Sequence, residues 1–340
     1  MSKRILVTGG CGFIGHHFID HLIVNTDWLV IILDKLTYAS AGFDRLRDSK
    51  LFDEKRILIL SADFTNPISI GLAKEINHVD YVVHMGAETH VDRSIVDPAP
   101  FVYSNVVGTM NMLEWARKTP SIEKFIYLST DEVFGPADKG QNFSEWDRYN
   151  SGNPYAASKA GGEELCLAWA NTYGLPITIV HTQNVFAQRQ HPEKFIPMTI
   201  RKVLAGDTVL VHSDQFGMSG SRFWIHARNL ADGLLYLLKD DVSFLFREKF
   251  NIVGEREISN FEMAELISKI IDKPLKYDLV LPDRPGHDRR YALSGVKMEN
   301  LGWHHPVSFE ESLKKTVFWS LENQWWLTPS FYEDVNAKVI

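Results

Sequence analysis

The sequence predicts an α/β fold, a doubly wound parallel sheet with a smaller C-terminal domain. Three observations carry that expectation. Short apolar runs alternate with helical patterns through the first half of the chain, as in parallel strands joined by crossover helices. The first run, Arg4 to Thr8, breaks into Gly9-Gly10-Cys11-Gly12-Phe13-Ile14-Gly15 before a helix reaching about Val24. The second, Leu29 to Leu33, ends on an acid, Asp34.

Each element has a chemical reading. Gly10, Gly12 and Gly15 fit G-x-G-x-x-G, and Gly9, Gly12 and Gly15 fit a wider spacing of the same turn. Missing side chains let a backbone turn tightly and approach a pyrophosphate, which sits at a helix N-terminus. Asp34 follows Gly15 by 19 residues, where a carboxylate binds ribose hydroxyls. It would repel a 2′-phosphate, so NAD is expected over NADP, although Lys35 is adjacent. Ile57 to Leu60 leads to Asp63 and Phe64, placed to flank an adenine ring. Tyr81 to Met85 leads to Gly86-Ala87-Glu88-Thr89-His90-Val91-Asp92. The small residues there let a cofactor lie close, and His90 and Asp92 are expected to make local loop bonds. A long helix is expected from roughly Pro100 to Lys118.

The strand Phe125 to Leu128 runs into Ser129-Thr130-Asp131-Glu132 and ends at Gly135. In a parallel sheet the carboxyl ends of strands hold ligands. Asn153-Pro154 is a helix start with proline in first position. Tyr155 and Lys159, four apart, share one face of that helix. A nearby ammonium lowers a phenol's pKa, as a base for hydroxyl oxidation requires. Adjacent carboxylates in a closed site can be pushed to different pKa values, so that one serves as acid and the other as base. Thr130, Asp131, Glu132, Tyr155 and Lys159 are the catalytic candidates.

In the second half, Ile177 to His181 reads as a strand, and Asn229 to Leu238 as an amphipathic helix. Phe250 to Gly254 returns to the sheet. Ser259-Asn260 begins a helix to about Ile271, and a last helix is expected from Leu313 to Trp326. The expected division is a nucleotide-binding domain over 1–184, with about 221–252 returning to it. A substrate-binding domain covers 185–220 and 253–327, and 328–340 is a tail. The helices around Pro100–Lys118 and Pro154–Tyr173 carry apolar residues on more than one face. Met110, Met112, Leu113 and Trp115 lie on the first, and Leu165, Leu167, Ala168 and Trp169 on the second. Such faces exceed what one sheet needs and suggest a homodimer.

The chain has 340 residues, 45% hydrophobic and 23% charged, an ordinary globular composition for one large or two closely joined domains. A net charge of −7 gives no electrostatic reason to expect nucleic acid or an anionic membrane. Two cysteines, Cys11 and Cys166, make neither a disulfide framework nor a metal site. Met1-Ser2-Lys3-Arg4 leads at once into a strand without a signal-peptide layout, and no apolar run is long enough for a bilayer. A cytoplasmic enzyme is expected.

Together these motifs resemble the extended short-chain dehydrogenase/reductase superfamily, a Rossmann fold with a C-terminal substrate-binding domain. Within it the chain is most similar to the nucleotide-sugar 4,6-dehydratases, the dTDP-glucose 4,6-dehydratases above all. The matching pieces are TGGCGFIG, LDKLTYA, HMGAETHVDRSI, STDEVFG, YAASK, HPEKFIP and RPGHDRRYA, collinear over nearly the whole chain. The resemblance implies NAD held by Gly9, Gly12, Phe13, Ile14, Gly15, Asp34, Lys35, Thr37, Asp63, Phe64, Ala87 and Thr89, with Tyr155 and Lys159. It implies a nucleotide-diphosphate hexose as substrate, contacted by Thr130, Asn184, Lys194, Arg222, Arg284 and His287, with Asn251 facing its diphosphate, and pairing of the long helices into a dimer. Tyr155 would take the 4-hydroxyl proton, Glu132 the C5 proton, and Asp131 would protonate the departing 6-hydroxyl. Asp131-Glu132 speaks against the nearest rivals, a 4-epimerase or a decarboxylase. A non-catalytic NAD-binding regulator would need neither Tyr155 nor Lys159. The match departs at Val185, where the family has a second asparagine, and at Asp214 to Trp224, where the connection is longer and Phe223 replaces an aspartate.

Overall fold

The computed structural model describes residues 2–239, 247–281 and 290–328. Its strands are β1 Arg4–Thr8, β2 Leu29–Asp34, β3 Ile57–Ser61, β4 Tyr81–His84, β5 Lys124–Thr130 and β6 Ile177–Thr182. They continue as β7 Asn184–Phe186, β8 Val209–His212, β9 Ser221–His226, β10 Lys249–Ile252, β11 Glu257–Ser259 and β12 Tyr277–Val280. Seven of them form one sheet in the order β10-β6-β5-β4-β1-β2-β3, every pair parallel. Ile5, Leu6, Val7 and Val30 to Leu33 are buried on both faces, which is why these strands read as continuous apolar runs. The order reverses between β1 and β4, and a crevice opens there beyond the strands' carboxyl ends.

On one face the Phe13–Asn25 and Ala227–Leu238 helices share a core through Phe18, Leu22, Leu230 and Leu234. On the other, the Gly108–Arg117 and Pro154–Tyr173 helices bury Met112, Leu113, Trp115 and Cys166. Those first three side chains, expected to exceed the needs of one sheet, are absorbed by the chain's own core. Met110 stays 36% exposed. The long helix expected from Pro100 is interrupted by a π turn, Tyr103–Val107. That turn carries Asn105, whose amide clamps the Glu88 backbone with two 2.9 Å bonds and also reaches Ser158. A wide turn at a site-forming helix is a recurrent device.

The second lobe is built on β11-β9-β7, with a β12-β8 pair beside it. The Phe195–Ala205, Asn260–Ile271 and Phe309–Glu322 helices supply its core, with Ile196, Met263 and Leu313 in contact with Trp224 and Phe186. The stretch 221–252 therefore divides. Ser221–His226 belongs to the small sheet, and only the following helix and β10 join the large one. The last helix starts earlier than expected, at Phe309, because Ser308 caps it by accepting from the Glu311 N–H at 3.3 Å; Ser308 and Glu311 have the spacing of a capping box.

Candidate active site

The turn after β1 fits a dinucleotide. Gly9 has a φ of +69°, and a Cβ on it would lie 2.7 Å from the Gly86 Cα. A Cβ on Gly15 would lie 2.2 Å from the Gly9 carbonyl oxygen. The backbone is thus packed where side chains would otherwise fill the cradle, and the N-terminus of the Phe13–Asn25 helix opens onto a cavity of about 200 Å³. Gly9, Gly12, Phe13, Ile14, Gly15, Asp34, Lys35, Thr37, Phe64, Ala87 and Thr89 all line it. The Asp34 carboxylate is anchored by the Cys11 N–H at 3.0 Å and the Leu36 N–H at 2.8 Å. Lys35 is drawn 3.6 Å from Glu88, across the same cavity. One oxygen of the Asp63 carboxylate, Oδ1, accepts from the Thr65 N–H at 2.9 Å.

A second cavity of about 570 Å³ adjoins the first through Phe13, Ile14, Ala87 and Thr89. Thr130, Asp131, Glu132, Tyr155 and Lys159 all line it, at the end of β5 and the start of the Pro154–Tyr173 helix. Asn153 joins the two elements. Its side-chain Oδ1 caps the helix by accepting from the Ala156 N–H, 2.8 Å away, and its Nδ2 donates to Glu132 at 2.9 Å. An N-cap of this kind stabilises a helix by about 1 kcal/mol.

The two carboxyls differ in environment. Asp131 is 5% exposed. Burial first, then the neighbouring Glu132 charge, pushes its carboxyl up to about 7, partly offset by Arg222 and the Thr130 hydroxyl. The Thr130 hydroxyl donates to Asp131 Oδ1 at 3.1 Å, and among the described residues Oδ2 is buried without a hydrogen-bond partner. Glu132 is half-buried and faces the cavity. One carboxyl is therefore poised to give a proton, and the other is better placed to take one.

Lys159 donates to the Leu128 carbonyl at 2.7 Å and stands 4.1 Å above the Tyr127 ring. Burial lowers its ammonium to about 8. The expected depression of the Tyr155 phenol is not found. Burial, then the Glu132 charge, raises it, with a hydrogen bond between it and Thr130 offsetting part. In the protein alone the phenol holds its proton.

Asn184, Lys194 and Arg222 line the second cavity. The Arg222 guanidinium stacks 4.8 Å over Tyr291 and donates to the Ser221 carbonyl. Asn251 corrects the expectation of a diphosphate contact. It is fully buried, its Oδ1 lies 3.0 Å from His181, and its amide donates to the Phe143 and Ser294 carbonyls at 3.1 Å. Arg284 and His287 lie outside the described residues. Sequence reasoning missed Arg45, Gln190 and Tyr291, which also line the cleft. Arg45 and Gln190 stand in no motif, Tyr291 lies in RPGHDRRYA without a role read from it, and each comes from a separate segment. Among the described residues no cluster of three metal-ligating side chains occurs, and no helix is long and apolar enough to cross a membrane.

Comparison with known proteins agrees with this geometry. The model of the NAD dependent epimerase/dehydratase family matches residues 5–273. A probable dTDP-glucose 4,6-dehydratase of Sinorhizobium fredii is 37% identical, over 96% of this chain and 95% of its own. The dTDP-glucose 4,6-dehydratase of Salmonella typhimurium is 36% identical, over 95% and 94%. A crystal structure of a Streptomyces venezuelae dTDP-glucose 4,6-dehydratase, with NAD and TYD bound, superposes with a TM-score of 0.85 at 35% identity, covering 96% of this chain and 99% of that one. The chain belongs to the NAD dependent epimerase/dehydratase family.

Proposed function

We propose that this protein is an NAD-dependent nucleotide-sugar 4,6-dehydratase that converts dTDP-glucose to the 4-keto-6-deoxy sugar nucleotide with loss of water. The observation that carries the reading is the Asp131–Glu132 pair beside Tyr155 and Lys159, with one carboxyl held protonated up to about pH 7. Oxidation at C4 alone, as an epimerase needs, calls for no such acid. The near-full-length likeness to dTDP-glucose 4,6-dehydratases supports the choice of substrate.

NAD in the glycine-lined cavity would supply a positively charged hydride acceptor for C4 and, once reduced, the hydride donor for C6. Tyr155 takes the 4-hydroxyl proton as a phenolate, and the positive charges of Lys159 and of bound NAD would have to favour that ionisation against the burial that keeps the phenol protonated in the protein alone. Thr130 holds the 4-oxygen. The C4 ketone acidifies C5, and Glu132 removes that proton. Asp131, protonated and with its Oδ2 unengaged, protonates the 6-hydroxyl as it leaves as water. Glu132 then returns a proton to C5. Asn184, Lys194 and Arg222 bind the nucleotide sugar, Arg222 through a guanidinium fork suited to diphosphate oxygens.

The proposed partner is a second copy of the chain. Val102, Tyr103, Met110 and Tyr173 on the two long helical segments are 48%, 62%, 36% and 49% exposed, and light scattering would read a dimer. The buried free cysteines Cys11 and Cys166 suit the reducing cytoplasm. The function is tested by mass spectrometry of the purified protein with a panel of nucleotide hexoses, without added reductant. Loss of one water from dTDP-glucose is the expected result. Conversion without mass change would replace the reading with epimerisation.

A further inference from the structure

Four residues beyond Lys159, on the same face of its helix, lies a carboxylate that the reaction does not use. Glu163 is fully buried. Ser129, the residue before Thr130 on β5, donates to its Oε1. Tyr149 donates to its Oε2, and His181 on β6 lies 2.9 Å from the same atom. Lys249 on β10 stands 3.7 Å away and also bonds the Tyr149 hydroxyl. A single carboxylate thus joins the catalytic helix to three neighbouring strands of the sheet.

A buried charge without partners is expensive. Here the partners win. Burial alone would raise the Glu163 carboxyl, but His181, Lys249 and the Ser129 hydroxyl together hold it below the usual range. The carboxylate is therefore a fixed negative charge. Among the described residues the groups around Lys159 offer it no other anion. β5 presents the Tyr127 ring and the Leu128 carbonyl. β4 presents His84, which burial, then Lys159, keeps neutral to about pH 3. The helix itself presents the protonated Tyr155 and Cys166, and the ionised Glu163. Against burial, the Glu163 charge is the largest influence that keeps Lys159 an ammonium.

We propose that Glu163 is a positioning residue of the active site, tying the catalytic end of β5 to the Tyr155–Lys159 helix and laying a fixed negative charge beneath Lys159. The inference rests on the 4,6-dehydratase reading only for its effect on turnover. Its physical content does not.

The test uses holoenzyme labelled with ¹³C at lysine Cε and followed by NMR from pH 6 to 11. In the wild type, one lysine signal, removed by Lys159→Met, titrates near 8. In Glu163→Gln it titrates lower by about one unit, a tenfold change in ionisation constant. Glu163→Asp, which keeps the charge, restores it. The alkaline limb of kcat/KM moves with the signal. Ser129→Ala, which cuts the tie and keeps the charge, lowers kcat at unchanged KM and leaves the titration in place. An unmoved Lys159 signal in Glu163→Gln, with only the melting temperature lowered, overturns the proposal. Should that variant fail to fold, wild-type kcat in Ser129→Ala overturns it. A protein whose lysine titrates as stated, yet which turns over no dTDP-glucose, sinks the dehydratase reading and leaves the network standing.

Discussion

Replacing Asp131 by asparagine should make the protein more stable and less active, and the size of the first effect follows from the site. Burial lifts this carboxyl from 3.8 to about 7. At 1.36 kcal/mol per unit, that difference is worth about 4 kcal/mol between folded and unfolded states. The folded pKa is the higher one. Between about pH 4 and pH 7 the native protein therefore keeps a proton that the unfolded chain has released, and stability falls as pH rises through that window. Above about pH 7 both states are ionised and the loss is complete. Asparagine keeps the shape and the oxygen that accepts from Thr130, but it cannot ionise. Urea unfolding of both proteins at pH 5, 6, 7 and 8 should show the variant's advantage widening by about 3 kcal/mol across that series, then levelling. Turnover of dTDP-glucose should fall by about 10²–10⁴-fold, the usual worth of a general acid, with oxidation at C4 still measurable. A stability gap independent of pH would refute the account of the carboxyl's environment. Full turnover would refute its role as acid.

Three further substitutions probe other parts of the account. Tyr155→Phe keeps the ring beside Phe101 and should lose at least about 10²-fold in turnover, with the melting temperature little changed by calorimetry. Near-normal turnover would remove Tyr155 from the chemistry. Gly15→Ala places a methyl group 2.2 Å from the Gly9 carbonyl oxygen and 2.7 Å from the Gly10 Cα. The purified protein should then carry little NAD, measured by release on denaturation; full occupancy would contradict the packed turn. Asn251→Leu strands the buried partners of three side-chain hydrogen bonds, so stability should fall by about 2–3 kcal/mol while KM for dTDP-glucose stays put. A raised KM at unchanged stability would return Asn251 to the diphosphate site.

What was legible in the sequence was contiguous. The glycine turn, Asp34, Thr130-Asp131-Glu132 and the Tyr155–Lys159 pair each sit within one short segment at a strand end or helix start. Backbone geometry alone therefore fixes their neighbourhood. Asn251 was misread because its partners, His181, Phe143 and Ser294, come from three distant segments. Only the assembled fold shows that they surround it. The direction of the Tyr155 shift was also hidden. The sequence shows a lysine four residues away, whereas burial and Glu132 dominate in the folded protein. Ser308 and Glu311 carried a helix-start signal that the apolar pattern from Leu313 obscured.

The most direct measurement follows a deuterium placed at C4 of dTDP-glucose through one turnover in ordinary water. A redox-neutral 4,6-dehydration predicts a dehydrated product with that deuterium at C6. Deuterium returned to C4, in a sugar nucleotide of unchanged mass, would contradict the account and assign the site to epimerisation.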